Sequence, residues 1–393
     1  MAVYGFPEEM LQYRPEAESE NTGLLKDHSA PRRGSMDLPF LGMTLVILLI
    51  GLIMVLSASF ARSYYESGNA TFVFVRQLIF SVSGIALMFI ASRIRISTFR
   101  KYSFWLLAFS IVLLAIVPVI GVESGGARRW IDLKITKFQP SEIAKLALVL
   151  AFSSMICMYK NKMKTFRYGV VPFVTVIAIM VGLLILEPHL SASVIILGLG
   201  AVMMFAGGTK LRWFVVVGIA VCLAVVLILP NFDYARERID VWRDPLAEKL
   251  DGGWQIVQSL YAVGSGGLLG LGLGQGRQKY LYLPEEHNDF IFAVVGEELG
   301  FIGAVLILAL FAMLIIRGFW IAMHARDRFG SLVATGLSAL LALQVFLNVA
   351  VVTNLIPCTG ISLPFFSSGG TALWLQMLEM GIILSISRDI KDK

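Results

Sequence analysis

The sequence contains few charged residues, and this scarcity excludes a soluble globular protein. Asp, Glu, Lys and Arg make up 15% of the 393 residues, whereas a soluble domain has about 25%. Hydrophobic residues make up 57%, and the mean hydropathy is +0.77. Histidine and cysteine are also scarce, with four and three residues, and no CxxC or Cys/His cluster occurs. The sequence therefore supports neither a disulfide framework nor a zinc site.

The hydrophobic residues are concentrated in runs of about 20 residues, the length of a helix that crosses a bilayer. We predict an all-α polytopic membrane protein with ten transmembrane helices and a large extracellular loop between helices 7 and 8. The predicted spans are residues 39–60, 72–91, 103–120, 143–158, 170–186, 190–207, 213–230, 289–316, 331–355 and 366–386.

The distribution of basic residues predicts the orientation of the spans. More than half of the Lys and Arg residues lie in the two tails and in the loops that follow even-numbered spans. The loops at 61–71, 187–189 and 356–366 carry only Arg62. By the positive-inside rule, both termini are cytoplasmic and residues 231–288 are extracellular. The net charge of +6 reflects this topology, and no nucleic-acid-binding signature is present.

The chain divides into three predicted parts. Residues 1–36 are polar, mixed in charge and interrupted by prolines, which is typical of a disordered cytoplasmic tail. Residues 37–388 form the ten-helix membrane domain, which includes the extracellular loop 231–288, and residues 389–393 form a short cytoplasmic tail. Because the first 36 residues lack the basic-then-apolar order of a signal peptide, the first span is expected to act as the insertion signal.

Residues 125–152 carry charges where the positive-inside rule disfavours them. Arg128 and Arg129 are predicted to be extracellular. Glu142 and Lys145 lie three residues apart, so they share one face of the following helix. They form either a local ion pair that closes the helix end, or part of an outward-facing cavity in which Lys145 binds an anion.

Two further extracellular segments are unusual for a simple helical bundle. The loop 231–288 is too long to be only a connection, and we interpret it as a lid. Its glycine-rich part, residues 264–276, is either a flexible hinge or a place of close backbone packing. Residues 351–374 contain prolines and glycines that break helical geometry. They form either a kinked outer loop or a re-entrant wall of the same cavity.

Five carboxylates occur between Leu283 and Gly300, where a long apolar helix begins. Glu285 and Glu286 are predicted to be exposed. Glu297 and Glu298 are predicted to be buried and to need cationic partners, for which Arg76 and Lys145 are candidates by depth. Asp289 combines an extracellular position with the start of a helix. It is either a helix cap or a general base.

Three motifs, in this order on ten spans, resemble those of one family. They are GARRWI…FQPSEIAK, GGLLGLGLGQGRQKYLYLPEEHNDFIFAVVGEELG and IPCTGISLPFFSSGG. They are similar to motifs of the SEDS proteins, the FtsW, RodA and SpoVE glycosyltransferases. The resemblance covers residues 37–388, and LIMVLSASFARSYY in the first span looks closer to the FtsW and SpoVE branch.

This resemblance implies a peptidoglycan glycosyltransferase that polymerises lipid II into glycan strands at the outer face of the bacterial cytoplasmic membrane. The transfer would invert the anomeric carbon and release undecaprenyl pyrophosphate, in cell division or in sporulation septum synthesis. A lipid II flippase and a non-catalytic divisome scaffold are the alternatives. A transporter would also need an inward-facing route, and the sequence has no convincing internal repeat of the kind that many transporters contain.

The resemblance also implies roles for individual residues. Asp289 stands at the aspartate of the family's HTDF motif and would be the catalytic base. Trp130 corresponds to an important loop tryptophan, and Glu142 and Lys145 fall on the motif QPSExxK. The predicted substrate-binding residues are Trp130, Arg128, Arg129, Glu142, Lys145, Lys279, Glu285 and His287. The predicted structural or cavity-lining residues are Glu297, Glu298, Ser367, Gly369 and Gly370.

The expected ligands and partners follow from the same reaction. The pyrophosphate leaving group develops negative charge, which Lys145, Arg128, Arg129 or a bound divalent cation (Mg²⁺ or Mn²⁺) can stabilise. No protein metal site is predicted. The expected partners are lipid II, the nascent glycan, a class B penicillin-binding protein transpeptidase and other membrane proteins of the divisome or elongasome.

Four residues depart from the family pattern. Asn288 replaces the threonine of HTDF, and His189 replaces an acid in EPDLGTA. Ser368 replaces the tyrosine of LSYGG, and Asn354 replaces a glycine in VVTGLLPVTG. None of them removes Asp289, so activity is expected. The sequence does not determine which contacts with substrate or partner these four positions make.

Overall fold

The computed structural model describes residues 34–124, 127–132, 137–228, 233–247 and 253–390. Within these residues the chain forms thirteen α-helices and three short β-strands. The helices are α1 (Leu38–Ser67), α2 (Phe72–Arg93), α3 (Ile96–Ile120), α4 (Pro140–Tyr159), α5 (Phe166–Gly169), α6 (Val171–Leu186), α7 (Leu190–Ala206), α8 (Leu211–Ile228), α9 (Asp233–Arg243), α10 (Trp254–Ser265), α11 (Ile291–His324), α12 (Arg328–Val352) and α13 (Gly370–Ser387). The strands are β1 (Val122–Ser124), β2 (Ala127–Asp132) and β3 (Lys137–Phe138).

Eight helical segments of the described chain are long and apolar enough to cross a membrane. They are Leu38–Ser67, Phe72–Arg93, Ile96–Ile120, Pro140–Lys164, Phe166–Leu186, Ile291–His324, Arg328–Val352 and Gly370–Ser387. Helix α7 is apolar but shorter, and the seventh predicted span falls on α8. The fold is therefore that of a polytopic helical membrane protein, as predicted, while ten membrane crossings stay a prediction.

Burial separates central helices from peripheral ones. Of the most apolar stretch of Pro140–Lys164, 83% is buried inside the protein, against 28% for α2 and for α3. The corresponding share is 72% for both α12 and α13. Helices α2 and α13 approach closely, because a Cβ atom at Gly381 would lie 2.4 Å from the carbonyl oxygen of Met88. The core of the bundle therefore runs along α4, α12 and α13.

A small antiparallel sheet connects α3 to α4, and the all-α prediction missed it. Strand β2 pairs with β1, which places Val122 opposite Trp130, and with β3, which places Ile131 opposite Phe138. Strands of two to six residues are too short to give a clear alternating pattern in the sequence. The sheet carries Arg129 and Trp130 to the start of α4.

Helix α11 is broken at Gly300, whose φ of 68° and ψ of −170° are not helical. The break leaves main-chain groups without helical partners, and the glycine-rich segment of the preceding loop satisfies them. Four hydrogen bonds between 2.9 and 3.1 Å long make this exchange: from Leu271 N to Glu297 O, from Gly272 N to Glu298 O, from Phe301 N to Gly267 O and from Ile302 N to Leu268 O.

Close backbone approach explains two glycines of this segment, Gly266 and Gly270. A Cβ atom at Gly266 would lie 2.0 Å from the carbonyl oxygen of Gly296. One at Gly270 would lie 2.2 Å from the carbonyl oxygen of Glu298. Any side chain at these positions would push the loop off the helix. This part of the predicted lid is therefore fastened to α11.

The carboxylate of Glu298 strengthens the attachment. It accepts hydrogen bonds from Lys279 Nζ at 2.7 Å, from Ser57 Oγ at 2.7 Å and from the N–H group of Gly274 at 3.0 Å. Lys279 and Glu298 are both buried, with 3% and 0% of their surface exposed. A buried ion pair with additional hydrogen bonds joins the loop to α1 and α11.

Glu297 is satisfied mainly by the main chain of the same loop. Its carboxylate accepts hydrogen bonds from the N–H groups of Arg277 at 2.8 Å and of Gln278 at 3.3 Å. The burial of both glutamates was predicted correctly, but the suggested partners Arg76 and Lys145 were wrong. Most of the actual partners belong to the loop that precedes α11, at residues 274–279. The prediction compared only how deep residues lie along single helices, and such a comparison does not include loops that fold back onto a helix.

Candidate active-site cavity

Four connecting segments meet at one end of the bundle, which we call the loop end. They are the described residues of 121–139, 187–189, 233–290 and 353–369. Hydrogen bonds join them in pairs: Arg129 Nη2 donates to Pro188 O at 2.5 Å, Trp242 Nε1 donates to Asn354 O at 3.1 Å, and Ser367 Oγ donates to Asn288 O at 2.8 Å.

A cavity of about 680 Å³ lies at the loop end, a volume within the range of ligand sites in proteins. Ten of the predicted site residues line it: Arg129, Trp130, Glu142, Lys145, Glu285, His287, Asp289, Ser367, Gly369 and Gly370. The other four lie elsewhere. Arg128 is exposed beside the cavity, and Lys279, Glu297 and Glu298 belong to the buried attachment of the glycine-rich loop.

The turn that carries Asp289 is bound to the segment between α12 and α13. Ser368 N donates to the carbonyl oxygen of His287 at 2.9 Å, and Ser367 Oγ donates to that of Asn288 at 2.8 Å. The Ser368 hydroxyl also donates to Oδ1 of Asn288. Two departures from the family pattern, Asn288 and Ser368, are thus in direct contact.

Asn348 of α12 makes the third contact with this turn. Its Nδ2 donates to the carbonyl oxygen of Asp289 at 2.8 Å and to that of Ile361 at 2.6 Å. The side chain is fully buried. Three consecutive carbonyl groups, those of residues 287–289, are therefore held from one side, which fixes the main chain at Asp289.

The electrostatic surroundings of Asp289 suit a carboxylate that takes up a proton near neutral pH. Burial of the carboxyl group raises its pKa to about 6, with a smaller contribution from the negative charge of Glu285. The cations of Arg129 and Arg238 partly offset this rise. A Cβ atom at Gly360 would lie 3.1 Å from Oδ2 of Asp289, so glycine there leaves space beside the carboxylate.

Glu142 and Lys145 form the ion pair of the first alternative and also line a cavity, while anion binding by Lys145 stays a prediction. Lys145 Nζ lies 2.7 Å from Glu142 Oε1, so the two residues form an ion pair within the first turns of α4. Both also line the cavity. Only 8% of Glu142 and 2% of Lys145 are exposed. The pair therefore presents adjoining positive and negative groups to the cavity interior.

The loop between α6 and α7 contributes two buried groups whose pKa values are shifted towards the uncharged form. Burial lowers the pKa of His189 to about 3 and raises the pKa of Glu187 to about 8. His189 lines the cavity, and its Nε2 lies 3.2 Å from Nε2 of Gln139.

The two glutamates that precede the turn have different environments. Glu285 is exposed, as predicted, and lines the cavity. The prediction that Glu286 is exposed was wrong, because its side chain is fully buried. Arg62 Nε donates to Glu286 Oε1 at 2.8 Å. This ion pair joins the C-terminal part of α1 to the turn. The sequence does not indicate it, because the two residues are more than 200 positions apart.

The segment between α12 and α13 lines the cavity, which favours the re-entrant-wall alternative over a simple kinked loop. Cys358, Thr359 and Gly360 are among its cavity-lining residues. Asn354 begins the segment with φ of +57°, a left-handed conformation that asparagine tolerates better than most residues. This conformation explains how asparagine replaces the glycine of the family pattern.

Sequence reasoning missed several polar residues of the cavity. Gln77, Gln344 and Gln376 line it from α2, α12 and α13. A signal was available, because an amide side chain inside an apolar span needs a polar partner or a wet cavity. Arg238 of α9 also lines the cavity, and its guanidinium donates to the carbonyl oxygen of Cys358.

The described residues contain no group of three His, Cys, Asp or Glu side chains that could hold a metal ion. A divalent cation in this cavity would therefore need ligands from a bound substrate in addition to the protein carboxylates. Its involvement stays a prediction.

These features define a polytopic membrane protein with a polar cavity at its loop end and a firmly held aspartate on the cavity wall. A family model described as "Cell cycle protein", of FtsW, RodA and SpoVE, matches residues 38–392. The chain belongs to this family.

Individual relatives support the assignment along nearly the whole chain. Stage V sporulation protein E of Bacillus subtilis (strain 168) is 40% identical over 359 residues, which are 91% of this chain and 98% of that protein. A protein of Geobacter sulfurreducens named "Probable peptidoglycan glycosyltransferase FtsW" is 38% identical over 358 residues, 90% of this chain and 96% of that protein.

Solved structures agree with the fold. A chain from a peptidoglycan synthase complex, described as coordinating polymerization and crosslinking, has a TM-score of 0.76 and 28% identity, covering 90% of this chain and 98% of that chain. The rod shape determining protein RodA of Thermus thermophilus has a TM-score of 0.68 and 26% identity, covering 91% of this chain and 98% of that chain.

Proposed function

We propose that this protein is a peptidoglycan glycosyltransferase that polymerises lipid II into glycan strands. The observation that carries the proposal is the carboxylate of Asp289, which lies on the cavity wall at the end of a turn held by three hydrogen bonds. Relatives named as probable peptidoglycan glycosyltransferases, similar over nine-tenths of the chain, support this activity.

In the proposed reaction, Asp289 acts as the general base. The 4-hydroxyl of one lipid-linked disaccharide attacks the anomeric carbon of a second, lipid-pyrophosphate-linked chain. Asp289 accepts the proton of that hydroxyl as the new glycosidic bond forms. The bond between the anomeric carbon and the pyrophosphate breaks, and undecaprenyl pyrophosphate leaves with the bonding electrons. Attack opposite to the leaving group inverts the anomeric carbon.

The cationic side of the cavity is suited to the leaving group. Arg129 and Lys145 both line the cavity, and the charge of Lys145 is partly balanced by Glu142. Negative charge that develops on the pyrophosphate is stabilised by these cations, so no second carboxylic acid is needed to protonate it. A divalent cation bound with the pyrophosphate would act in the same way.

The other cavity residues fit a saccharide ligand. Trp130 offers an aromatic surface, and Glu285 and His287 offer polar groups near the base. Arg128 lies outside the cavity lining and would reach only the exposed part of a long substrate. We leave Lys279 out of the substrate-binding set, because its Nζ bonds Glu298 and Ser57.

The proposed setting is the bacterial cytoplasmic membrane, with both termini in the cytoplasm and the loop end outside. Residues 1–36 and 389–393 would be cytoplasmic tails, and residues 37–388 the catalytic membrane domain. The similar chain in a complex that coordinates polymerization and crosslinking supports a class B penicillin-binding protein as partner. Crosslinking would then follow polymerisation on the same glycan strand.

Polymerisation of purified lipid II tests the proposed function. The purified protein, together with its transpeptidase partner, is expected to form long glycan strands, and the Asp289→Ala variant is expected to form none. Equal polymer from both proteins would assign the base to another residue. A wild-type protein that forms no polymer but moves lipid II across vesicle membranes would replace this proposal with the transporter alternative.

A further inference from the structure

Gln344 is a buried amide that lines the cavity and that the proposed reaction does not use. It lies on α12, one helical turn before Asn348, and only 2% of its surface is exposed. Its side chain makes no hydrogen bond to any residue in the described part of the chain. Its immediate neighbours in the sequence, Leu343 and Val345, are apolar.

Two other glutamines of the cavity are already committed to holding the wall. Gln77 Nε2 donates to the carbonyl oxygen of Ser367 at 3.2 Å, and Gln376 Oε1 accepts from the N–H group of Phe365 at 3.0 Å. Gln344 has no such structural task. Its amide faces the cavity without a hydrogen bond to the protein, so a ligand group that both donates and accepts can bond it.

We infer that Gln344 is a substrate-binding residue that recognises an acetamido group of the sugar whose hydroxyl attacks. This inference rests on the proposed function and names the part of the substrate that the inner cavity wall selects. A primary carboxamide presents a donor and an acceptor side by side, and another amide can satisfy both at once. A single sugar hydroxyl matches the side-by-side donor and acceptor of the Gln344 amide less well than another amide does. A charged group would lose its hydration on entering the site, and Gln344 offers no opposite charge in return.

The position of Gln344 agrees with this assignment. Asn348, which holds the main chain of Asp289, lies four residues further along α12, a separation of about 6 Å along the helix axis. Gln344 and Asp289 line the same cavity, and the inference places a hydroxyl at the Asp289 carboxylate and an acetamido group at Gln344 on one sugar ring. Binding at both points would place the attacking hydroxyl at the base.

The test compares lipid II with an analogue in which a hydroxyl replaces the acetamido group of the attacking sugar. Binding to the protein in nanodiscs and polymerisation with the transpeptidase partner are measured separately. Wild-type protein is expected to bind lipid II about tenfold more tightly than the analogue, a modest discrimination for one buried hydrogen-bonding group. The Gln344→Met variant is expected to bind both ligands equally, at the level of wild type with the analogue.

A matched control is Gln258→Met, which changes a buried glutamine of α10 that does not line the cavity. It is expected to keep the wild-type preference. The Gln344→Glu variant keeps the shape but loses the N–H donors, so it is expected to lose the preference even if Gln344→Met folds poorly.

The separate binding measurement distinguishes failure of this inference from failure of the proposed function. If folded Gln344 variants keep the tenfold preference for lipid II, the inference is wrong whatever the polymerisation activity. If wild-type protein shows the Gln344-dependent preference in binding but forms no polymer, the binding site stands and the glycosyltransferase proposal fails.

Discussion

At the scale of single residues, Asp289 is defined by how its main chain is held and by how its charge is balanced. Hydrogen bonds from Ser368, Ser367 and Asn348 fix the turn. Burial raises the pKa of the carboxyl group, and nearby arginines keep the rise moderate. A base with a pKa near the working pH combines a deprotonated state with useful proton affinity.

The raised pKa predicts how activity depends on pH. Because Asp289 must be deprotonated to accept a proton, kcat/KM for polymerisation should rise about tenfold per pH unit below pH 6 and level off above it. Steady-state assays from pH 4.5 to 8 check this. A profile that stays flat across pH 6 would contradict the role of Asp289.

The same pKa shift predicts a stability effect of the opposite sign to the catalytic one. The folded pKa of about 6 is above the ordinary value of 3.8, so charging Asp289 destabilises the folded state as pH rises between these values. Asp289→Asn should therefore raise Tm at pH 8 relative to wild type and give little or no gain at pH 4. Thermal unfolding in detergent at the two pH values measures this difference.

Asn348 is expected to act on the reaction through Asp289. Asn348→Leu removes the donor to the Asp289 carbonyl, and loosening of the base should lower kcat by about 10–100-fold with a smaller change in KM. Asn348→Asp places a negative charge beside the base and should move the midpoint of the pH profile upwards. A pH midpoint that is unchanged in Asn348→Asp would indicate a purely structural role.

Motifs in the sequence identified Asp289, Glu142 and Lys145, and all three line one cavity. The same reasoning failed for Glu286, which was expected at the surface and pairs with Arg62. Both outcomes have one cause. Residue type and local spacing indicate which side chains carry chemistry, whereas burial of a loop residue depends on contacts with segments far away in the chain.

At the scale of elements, the break in α11 is the feature that most affects the loop before Asp289. The glycine-rich segment replaces helical hydrogen bonds at Gly300, and the carboxylates of Glu297 and Glu298 bind the returning chain. The loop is thereby anchored about ten residues before Asp289. A rigid attachment of this kind keeps the turn in register with α11.

Removal of one partner from the buried ion pair should destabilise this attachment strongly. Lys279→Met leaves the Glu298 carboxylate without its cation and is expected to cost about 3–5 kcal/mol. Combining it with Glu298→Gln should recover part of that loss. As a control, Arg236→Met removes an exposed ion pair with Asp240 and should change stability by less than about 1 kcal/mol. Unfolding of the three variants measures these differences, and equal effects of Lys279→Met and Arg236→Met would contradict a strong contribution from the buried ion pair.

The helices were predictable and the sheet was not. Long apolar runs determine helices in a membrane, because only internal hydrogen bonding satisfies the main chain there. The strands between α3 and α4 are short and lie outside such runs, so no strong pattern indicates them. For the glycine-rich segment, the sequence predicted either a flexible hinge or close backbone packing. At Gly266 and Gly270 the structure leaves no space for a Cβ atom, which favours close packing at these two positions.

At the scale of the whole molecule, the basic residues predict that the loop end faces outwards. In a chain whose three cysteines are replaced by alanine, Asn69→Cys between α1 and α2 should react with a membrane-impermeant maleimide added to intact cells. Lys162→Cys, between α4 and α6, should react only after the cells are opened. Labelling in the reverse order would invert the topology and contradict an extracellular active site.

The molecule as a whole joins a rigid helical core to a polar cavity walled by connecting segments. Central helices α4 and α12 carry Lys145 and Gln344 of the cavity wall, and α12 also carries Asn348, which bonds the main chain of Asp289. The turn that bears Asp289 contributes another part of the cavity wall. Such an arrangement allows one base and several fixed polar groups to act on a large lipid-linked substrate.

The most direct test of the central claim is the rate of glycan polymerisation by the isosteric Asp289→Asn variant. We predict that this variant, assembled with the transpeptidase partner, binds lipid II with near wild-type affinity but polymerises it at least about 100-fold more slowly. Asp240→Asn, which alters an exposed acid outside the cavity lining, should polymerise at the wild-type rate. Wild-type polymerisation by folded Asp289→Asn would contradict the assignment of Asp289 as the base.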